Sequence, residues 1–384
     1  MVALLATSPL LVSTVGLETY LGVALLVGLV RYGAEARWLA AGLVAGLLVL
    51  TRPDYAVPAV VITLVLAGLR RRLVRTAAVA IAVAAPWHLA SWALLGSTVP
   101  DTFVFKTAEH DWNGTTLANA PPVYADIFPD APLLVVVGPM VVGALCLVGW
   151  CMAAAAGARH PAGPVIAAFG LAGLGHFGAL SVMGVPPYLW YYAPVMAGLT
   201  LCAAGTAAMP ARMAVSWSLA GVATAVVGAA VVVLLSGPVP WREPPLVGNY
   251  ATAAEAAMVG REVAEIVPAG AAVGSPGEIG TLAFFCECRM LDKFSHRGIA
   301  AEVIEQRRAA ASPAMQQLLA WNYAQLPPVE SPPPPQWWLE FRPDPTTRTT
   351  ADVQWWPASM SWHEPGQVVL VSAAAWNEYR PSPL

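Results

Sequence analysis

The sequence predicts an α-helical multi-pass membrane protein with a C-terminal extracytoplasmic α/β domain, and three observations carry that expectation. Of 384 residues, 57% are hydrophobic and only 11% charged, against about 25% charged in an ordinary soluble domain. The charge is uneven, with 18 Lys, Arg, Asp and Glu in residues 1–236 and 25 in residues 237–384. Eight apolar runs in the first part approach the roughly 20 residues that a membrane-crossing helix needs.

Those runs cover 14–31, 37–51, 55–69, 74–95, 131–152, 164–184, 187–207 and 213–236. The second and third are short and meet at Thr51-Arg52-Pro53-Asp54, so they form an antiparallel pair. The connections after the first, third, fifth and seventh hold Arg31, Arg37, Arg70, Arg71, Arg72, Arg75, Arg159 and Arg212. The positive-inside rule makes that side cytoplasmic. The opposite connections carry Asp54, Asp101, Glu109, Asp111, Asp126 and Asp130, with Arg52 and Lys106 as their cations. Residues 237–384 are then expected outside the cytoplasm, and the N-terminus with them. Residues 1–13 show neither a charged n-region nor a cleavage pattern, so the expectation is that further spans precede Met1 in the full protein.

Composition excludes several functions. A net charge of -3 argues against a nucleic-acid partner. Cys146, Cys151 and Cys202 fall in or beside apolar runs, while Cys286 and Cys288 alternate across an expected strand. No disulfide framework or zinc-ligand spacing is visible, so no metal is expected. Gly274, Gly277 and Gly280 do not have the spacing of a dinucleotide fingerprint, and no cofactor is expected.

Residues 96–130 form the longest connection of the membrane part, and connections longer than about 15 residues are usually functional or disordered. Phe103, Phe105 and Trp112 suit lipid head groups, a sugar or a prenyl chain, and Lys106 offers a point charge for phosphate. An interfacial amphipathic helix is the other reading. Glu109, His110 and Asp111 are acid/base or metal-binding types, but three adjacent residues cannot share a helix face, so a solvated turn fits them too.

Arg52 and Asp54 sit where two spans reach the outer surface, as a self-paired turn or as a guanidinium holding an anionic lipid carrier. Glu18 opens the first span, as a charge complementing the helix dipole or as a polar anchor. His88 and His176 lie inside apolar runs, where a helix-to-helix hydrogen bond is the ordinary role. Tyr188, Trp190, Tyr191 and Tyr192 open the seventh run, as an aromatic belt or as a platform for a carbohydrate or prenyl group.

In the outer domain the pattern predicts a helix over 249–266, a strand over 271–275, a helix start at Gly277, a strand over 288–292, a helix over 313–325, and strands over 336–341 and 367–372. This alternation reads as a small α/β layer. Pro327-Pro328 and Pro332 to Pro335 are extended connectors. Trp337, Trp338, Trp355, Trp356 and Trp362 follow them, as sugar-stacking or core-filling side chains.

The order of motifs resembles the GT-C superfamily of membrane glycosyltransferases, most closely the actinobacterial terminal arabinofuranosyltransferase type. The matching segments are Gly16-Leu17-Glu18-Thr19, Leu50-Thr51-Arg52-Pro53-Asp54, and Gly96 through Pro100-Asp101-Thr102 to Lys106. Asp101 stands where that family has Asn, and Phe105 where it has Ala. The segment from Val273 to Phe285, followed by Cys288 to Asp292, is similar to the family's strand, Gly-containing helix start and second strand ending in Asp. The likeness covers about residues 10–295.

The resemblance implies sugar transfer from a polyprenyl-phosphate donor to a cell-envelope glycan on the outer face of the plasma membrane, in contact with membrane lipid. For such a reaction, cations at the outer surface would help the phosphate leave, a role that falls to Lys106 and Arg52, with Glu18, Asp54, Asp101, Thr102, His110 and Asp111 in support. Trp112, Tyr188, Trp190 and Tyr191 form the aromatic platform. The family's general base is an acidic residue in the first outer loop, and residues 1–17 contain no Asp or Glu, so no catalytic base is carried over. The alternatives are a non-enzymatic protein that binds or translocates a lipid-linked glycan, and an inactive fragment.

Overall fold

A computed structural model describes residues 2–108, 114–128, 130–209, 213–237, 243–246, 251–275, 280–292, 296–327, 330, 332–346, 349, 352–359 and 365–374, with backbone alone for 130–131 and 213–220. The described chain is mostly helical, with a small mixed sheet. It divides into two compact units, Met1–Ala93 with His110–Leu246, and Leu94–Glu109 with Val247–Leu384.

The first unit contains α1 (Val2–Ala6), α2 (Pro9–Val12), α3 (Thr19–Ala34), α4 (Trp38–Thr51), α5 (Ala56–Val65), α6 (Ala67–Arg70) and most of α7 (Leu73–Leu95). Residues of the second unit, including α8 (Asp101–Ala108), intervene before α9 (Pro121–Ile127), α10 (Asp130–Ala155), α11 (Gly163–Val182), α12 (Ala193–Ala207) and α13 (Met213–Ser236).

Among the described residues, three helices are long and apolar enough to cross a membrane: Leu73–Leu95, Pro132–Ala155 and Gly163–Val182. Thr19–Ala34, Trp38–Thr51, Pro53–Val65 and Gly221–Ser236 are apolar but shorter. Val74, Ile81, Trp87 and Leu89 of α7 are all well exposed, the arrangement expected where lipid, not water, is the solvent.

The seventh expected run takes a different form. It opens as a 3-10 turn over Leu189–Tyr192 and continues as α12, whose residues from Ala193 to Cys202 are all buried. A helix apolar all round is a buried one, and small residues let its neighbours close on it. A Cβ on Gly198 would stand 2.4 Å from the carbonyl oxygen of Phe169, and one on Gly173 2.7 Å from that of Pro194. The backbones of α11 and α12 therefore touch. A second cluster, with Leu29, Leu48, Tyr55, Ile62 and Leu69 at its centre, joins α3 to α6 with Ala168 and Ala172 of α11.

The second unit combines residues 94–109 with α14 (Ala253–Ile266), β1 (Ala272–Gly274), α15 (Gly280–Cys286), β2 (Arg289–Leu291), α16 (Arg297–Ala310), α17 (Pro313–Asn322), β3 (Trp337–Arg342), β4 (Asp352–Ala358) and β5 (Gly366–Ser372). α14 starts at a capping box: Glu255 donates its amide to the Thr252 hydroxyl, and Thr252 donates its amide to the Glu255 carboxylate, satisfying two otherwise orphan donors. The sheet order is β2-β1-β3-β5-β4, with β1 parallel to β2 and β3, and β5 antiparallel to β3 and β4. Val259 and Val263 of α14 pack with Leu339, Trp356, Val368 and Leu370 of the sheet.

Two expectations for this unit change. α16 and β4 fall where no element was expected. Cys286 and Cys288 do not alternate across a strand: α15 ends at Cys286, Glu287 turns at φ 53, and the two sulfurs are bonded. The left-handed residue between them brings the Cα atoms to 5.1 Å, inside the distance that a disulfide spans. Trp356 is in the core, donating its indole N–H to Glu262 at 2.7 Å, while Trp355 is exposed. Gly277, Pro328 and Trp362 lie outside the described residues.

Candidate functional site

The site is built on the turn between α4 and α5. Arg52 leaves the helix with extended backbone (φ -155, ψ 129), and Pro53, which has no N–H to lose, starts the next turn. Arg52 and Asp54 thereby face one another. Nε and Nη2 of Arg52 each donate to a different oxygen of Asp54, both at 3.0 Å. This fork geometry is among the stronger charge-assisted hydrogen bonds.

α11 supplies the next member. Nε2 of His176 is 2.7 Å from Oδ2 of Asp54, so both carboxylate oxygens of Asp54 are engaged. On the other side, Nη1 of Arg52 is 3.3 Å from Oε1 of Glu18, at the start of α3. Exposure separates the four side chains: His176 is 0% exposed, Asp54 8%, Arg52 10% and Glu18 37%. Glu18 is the end of the chain that solvent or a substrate reaches.

Aromatic rings enclose the guanidinium. The Cζ of Arg52 is 5.3 Å from the Tyr55 ring centroid and 4.8 Å from that of Tyr191, within cation–π range. Tyr188 and Trp190 stack with centroids 4.6 Å apart and planes 7° apart, and each lies about one ring-width from Tyr191. Among the described residues, the buried Nδ1 of His176 and hydroxyl of Tyr55 have no hydrogen-bond partner. The guanidinium of Arg52 lies between the carboxylates of Asp54 and Glu18.

Chemically, this arrangement holds a guanidinium rigidly, displays one accessible carboxylate, and sets the Tyr191 ring, with Tyr188 and Trp190 packed on it, against the guanidinium. It brings together Glu18, Arg52, Asp54, Tyr188, Trp190 and Tyr191 from the expected set. It adds Tyr55, which had no assigned role, and His176, whose expected helix-to-helix hydrogen bond finds its partner in Asp54 of the α4–α5 turn. Nothing near His176 in the sequence announces a partner 122 residues away.

The other expected cation is in a different unit. Lys106 is half-buried in the last turn of α8, in the second unit with Asp101 and Thr102. Asp101 accepts a hydrogen bond from Nε of Arg297 at 2.9 Å. Val104 and Phe105 are buried against Ala300, Ile304 and Leu319, so Phe105 packs inside this unit and does not meet head groups. His110, Asp111 and Trp112 lie outside the described residues. Among the described residues, no group of three or more His, Cys, Asp or Glu is placed to hold a metal ion. Set against known protein families, characterised proteins and solved structures, the chain matches none.

Proposed function

We propose that this chain acts as a multi-pass membrane glycosyltransferase that moves a sugar from a polyprenyl-phosphate donor to a cell-envelope glycan on the outer face of the plasma membrane. The observation that carries the reading is Arg52: a guanidinium fixed by the buried Asp54–His176 pair and bordered by the Tyr191 ring, on which Tyr188 and Trp190 pack. A polyprenyl phosphate leaves with its negative charge, and a pre-oriented cation lowers the barrier to that departure. The acceptor hydroxyl must also lose a proton to a carboxylate within reach. Asp54 is bound on both oxygens, whereas Glu18 is accessible, so Glu18 is the proposed proton acceptor. The Cys286–Cys288 disulfide supports an oxidising location for the second unit.

The test uses membranes containing the full chain and a radiolabelled polyprenyl-phosphate sugar. Arg52→Ala is expected to lower the transfer rate about 100-fold, with Arg52→Lys between it and the parent. Unchanged transfer in Arg52→Ala overturns the assignment. Lys106→Ala tests the second cation separately.

One observation favours a second reading, a non-enzymatic protein that binds or translocates a lipid-linked glycan: Asp54 and Glu18 already oppose the charge of Arg52. Donor retained by the parent chain without any glycan product supports that reading over transfer.

A further inference from the structure

The arginines in the connections of the first unit are unevenly distributed. Of the eight that predict the cytoplasmic side, six belong to two connections: Arg31 and Arg37 around the α3–α4 turn, and Arg70, Arg71, Arg72 and Arg75 around the α6–α7 turn. Sidedness requires only that cations stay on one side. It does not require four of them within six residues.

Packing brings these two turns together. A Cβ on Gly68 of α6 would stand 2.8 Å from the Cβ of Ala36, the residue that makes the α3–α4 turn at φ 54. A Cβ on Gly33, near the end of α3, would stand 2.5 Å from the side chain of Leu66 and 2.8 Å from that of Leu69, and both leucines are buried. α4 and α7 then run side by side. A Cβ on Gly42 would stand 2.8 Å from the carbonyl oxygen of Thr76, and one on Gly46 2.8 Å from that of Ala80, so the two helices advance together and are parallel. One turn earlier, the same register sets Arg37 and Trp38 alongside Arg71 and Arg72.

The result is a cluster of guanidiniums with little to balance it. All six arginines are exposed. Glu35 pairs with Arg31 at 3.2 Å and with Arg37 at 3.4 Å, and among the described residues it is the only carboxylate in an ion pair with any of the six. So many like charges repel one another unless an anion from outside the chain joins them. The surface next to them is apolar: Leu73 and Val74, in the first turn of α7, are 40% and 80% exposed, on a helix long and apolar enough to cross a membrane. Cations at the start of such a helix, followed at once by exposed apolar side chains, match the phosphate and the acyl chains of a phospholipid. Guanidinium also presents the fork that a phosphate accepts on two oxygens.

We propose that the joined α3–α4 and α6–α7 turns form a binding site for an anionic phospholipid, with the phosphodiester held by the arginine cluster and the acyl chains lying along the exposed face of α7. The site is at the opposite end of α4 from Arg52 and does not depend on the transfer reaction. It is at the end that the arginine distribution predicts to be cytoplasmic, where the leaflet is anionic.

The experiment is native mass spectrometry of the full chain, stripped of lipid in a non-ionic detergent and titrated with phosphatidylglycerol, phosphatidylcholine or inorganic phosphate. The parent chain is expected to bind phosphatidylglycerol about tenfold more tightly than phosphatidylcholine, to bind inorganic phosphate more weakly than either lipid, and to lose its preference as ionic strength rises. Arg71→Gln combined with Arg72→Gln should weaken phosphatidylglycerol binding about 25-fold, on the order of fivefold per arginine. Arg307→Gln combined with Arg308→Gln removes the same charge from α16 and should leave that binding unchanged. Equal affinity for the two lipids in the parent chain, or equal losses in the two double variants, overturns the proposal. Inorganic phosphate bound as tightly as phosphatidylglycerol overturns the lipid as the source of the phosphate. A preference that does not respond to ionic strength overturns the role of the arginines, and that measurement needs no variant.

Discussion

Tyr55 owes its place beside Arg52 to an absence. It is fully buried, and a Cβ on Gly22 of α3 would stand 2.2 Å from its ring and 2.8 Å from its hydroxyl. Gly22→Ala must therefore push the ring away from Arg52 and His176, with an overpacking cost of about 1–3 kcal/mol. Gly28, on the same helix, is the contrast: its nearest neighbour would be Val44 at 3.8 Å, and alanine there gains roughly 0.5–1 kcal/mol of helix propensity. Thermal unfolding in detergent is expected to show a lower Tm for Gly22→Ala and an equal or higher Tm for Gly28→Ala. Equal Tm values for the two variants would mean that Tyr55 is not held as described. At this scale the sequence discloses what is local. Arg52 and Asp54 are two residues apart on a proline-defined turn, and their pairing is legible. Tyr55 depends on a glycine 33 positions earlier, and His176 on an aspartate in the α4–α5 turn, and neither leaves a local signature.

The sheet of the second unit shows the same contrast between elements. β1, β2, β3 and β5 were legible because their apolar residues sit at strand spacing, and β5 is buried at every position but the last. α16 was not, because only Gly298, Ala300 and Ile304 are buried in it, too thin a stripe to read as a helix period. β4 alternates exposed and buried residues and contains Pro357, which a central strand would not tolerate. It is tolerated because β4 is the last strand in the order. The first residue of β4, Asp352, completes an ion triad in which Arg342 donates from Nε to Glu340 at 3.0 Å and from Nη1 to Asp352 at 2.9 Å. Thr349 adds its amide and hydroxyl to the Asp352 carboxylate. Burial raises the Asp352 pKa, but the Arg342 and Thr349 hydrogen bonds outweigh it, and the net shift is downward. A carboxyl lowered on folding stabilises the fold above its unfolded pKa of about 3.9, and that contribution is lost as pH falls through the lower folded value. Hydrogen exchange of the β5 amides is expected to accelerate on acidification through that window. Asp352→Asn leaves Arg342 paired with Glu340 and should lose about 1–3 kcal/mol and most of this pH dependence. Unchanged protection in the variant would show that the triad does not hold β4 to β5.

For the whole molecule, apolar composition cannot tell a helix that faces lipid from one that other helices enclose. α7 and α12 read alike as apolar runs, yet α7 buries only Thr76 and Ala84 while α12 is buried through most of its length. Charge is the better guide to sidedness, because arginine is costly to move across a bilayer whatever the helices do. Cys151 lies on α10 shortly before Arg159, toward the end that the arginine distribution predicts to be cytoplasmic. The proposed function requires the disulfide-bearing second unit to lie on the other side. Cys151 is exposed and so is a native reporter, and Glu265, exposed on α14, can become its counterpart. With Cys146 and Cys202 replaced by Ser, a membrane-impermeant maleimide added to intact cells is expected to spare Cys151 until the membrane is opened. With Cys151 also replaced and Glu265→Cys introduced, the same reagent should label at once. Labelling of both reporters in intact cells would break the alternation of sides, and the reverse pattern would put the second unit in the cytoplasm, where neither the disulfide nor an outer-face transferase belongs. The arginine asymmetry and the Cys286–Cys288 bond are unrelated features of the chain, one set by insertion and the other by redox chemistry, and this pair of reporters tests whether both describe the same orientation.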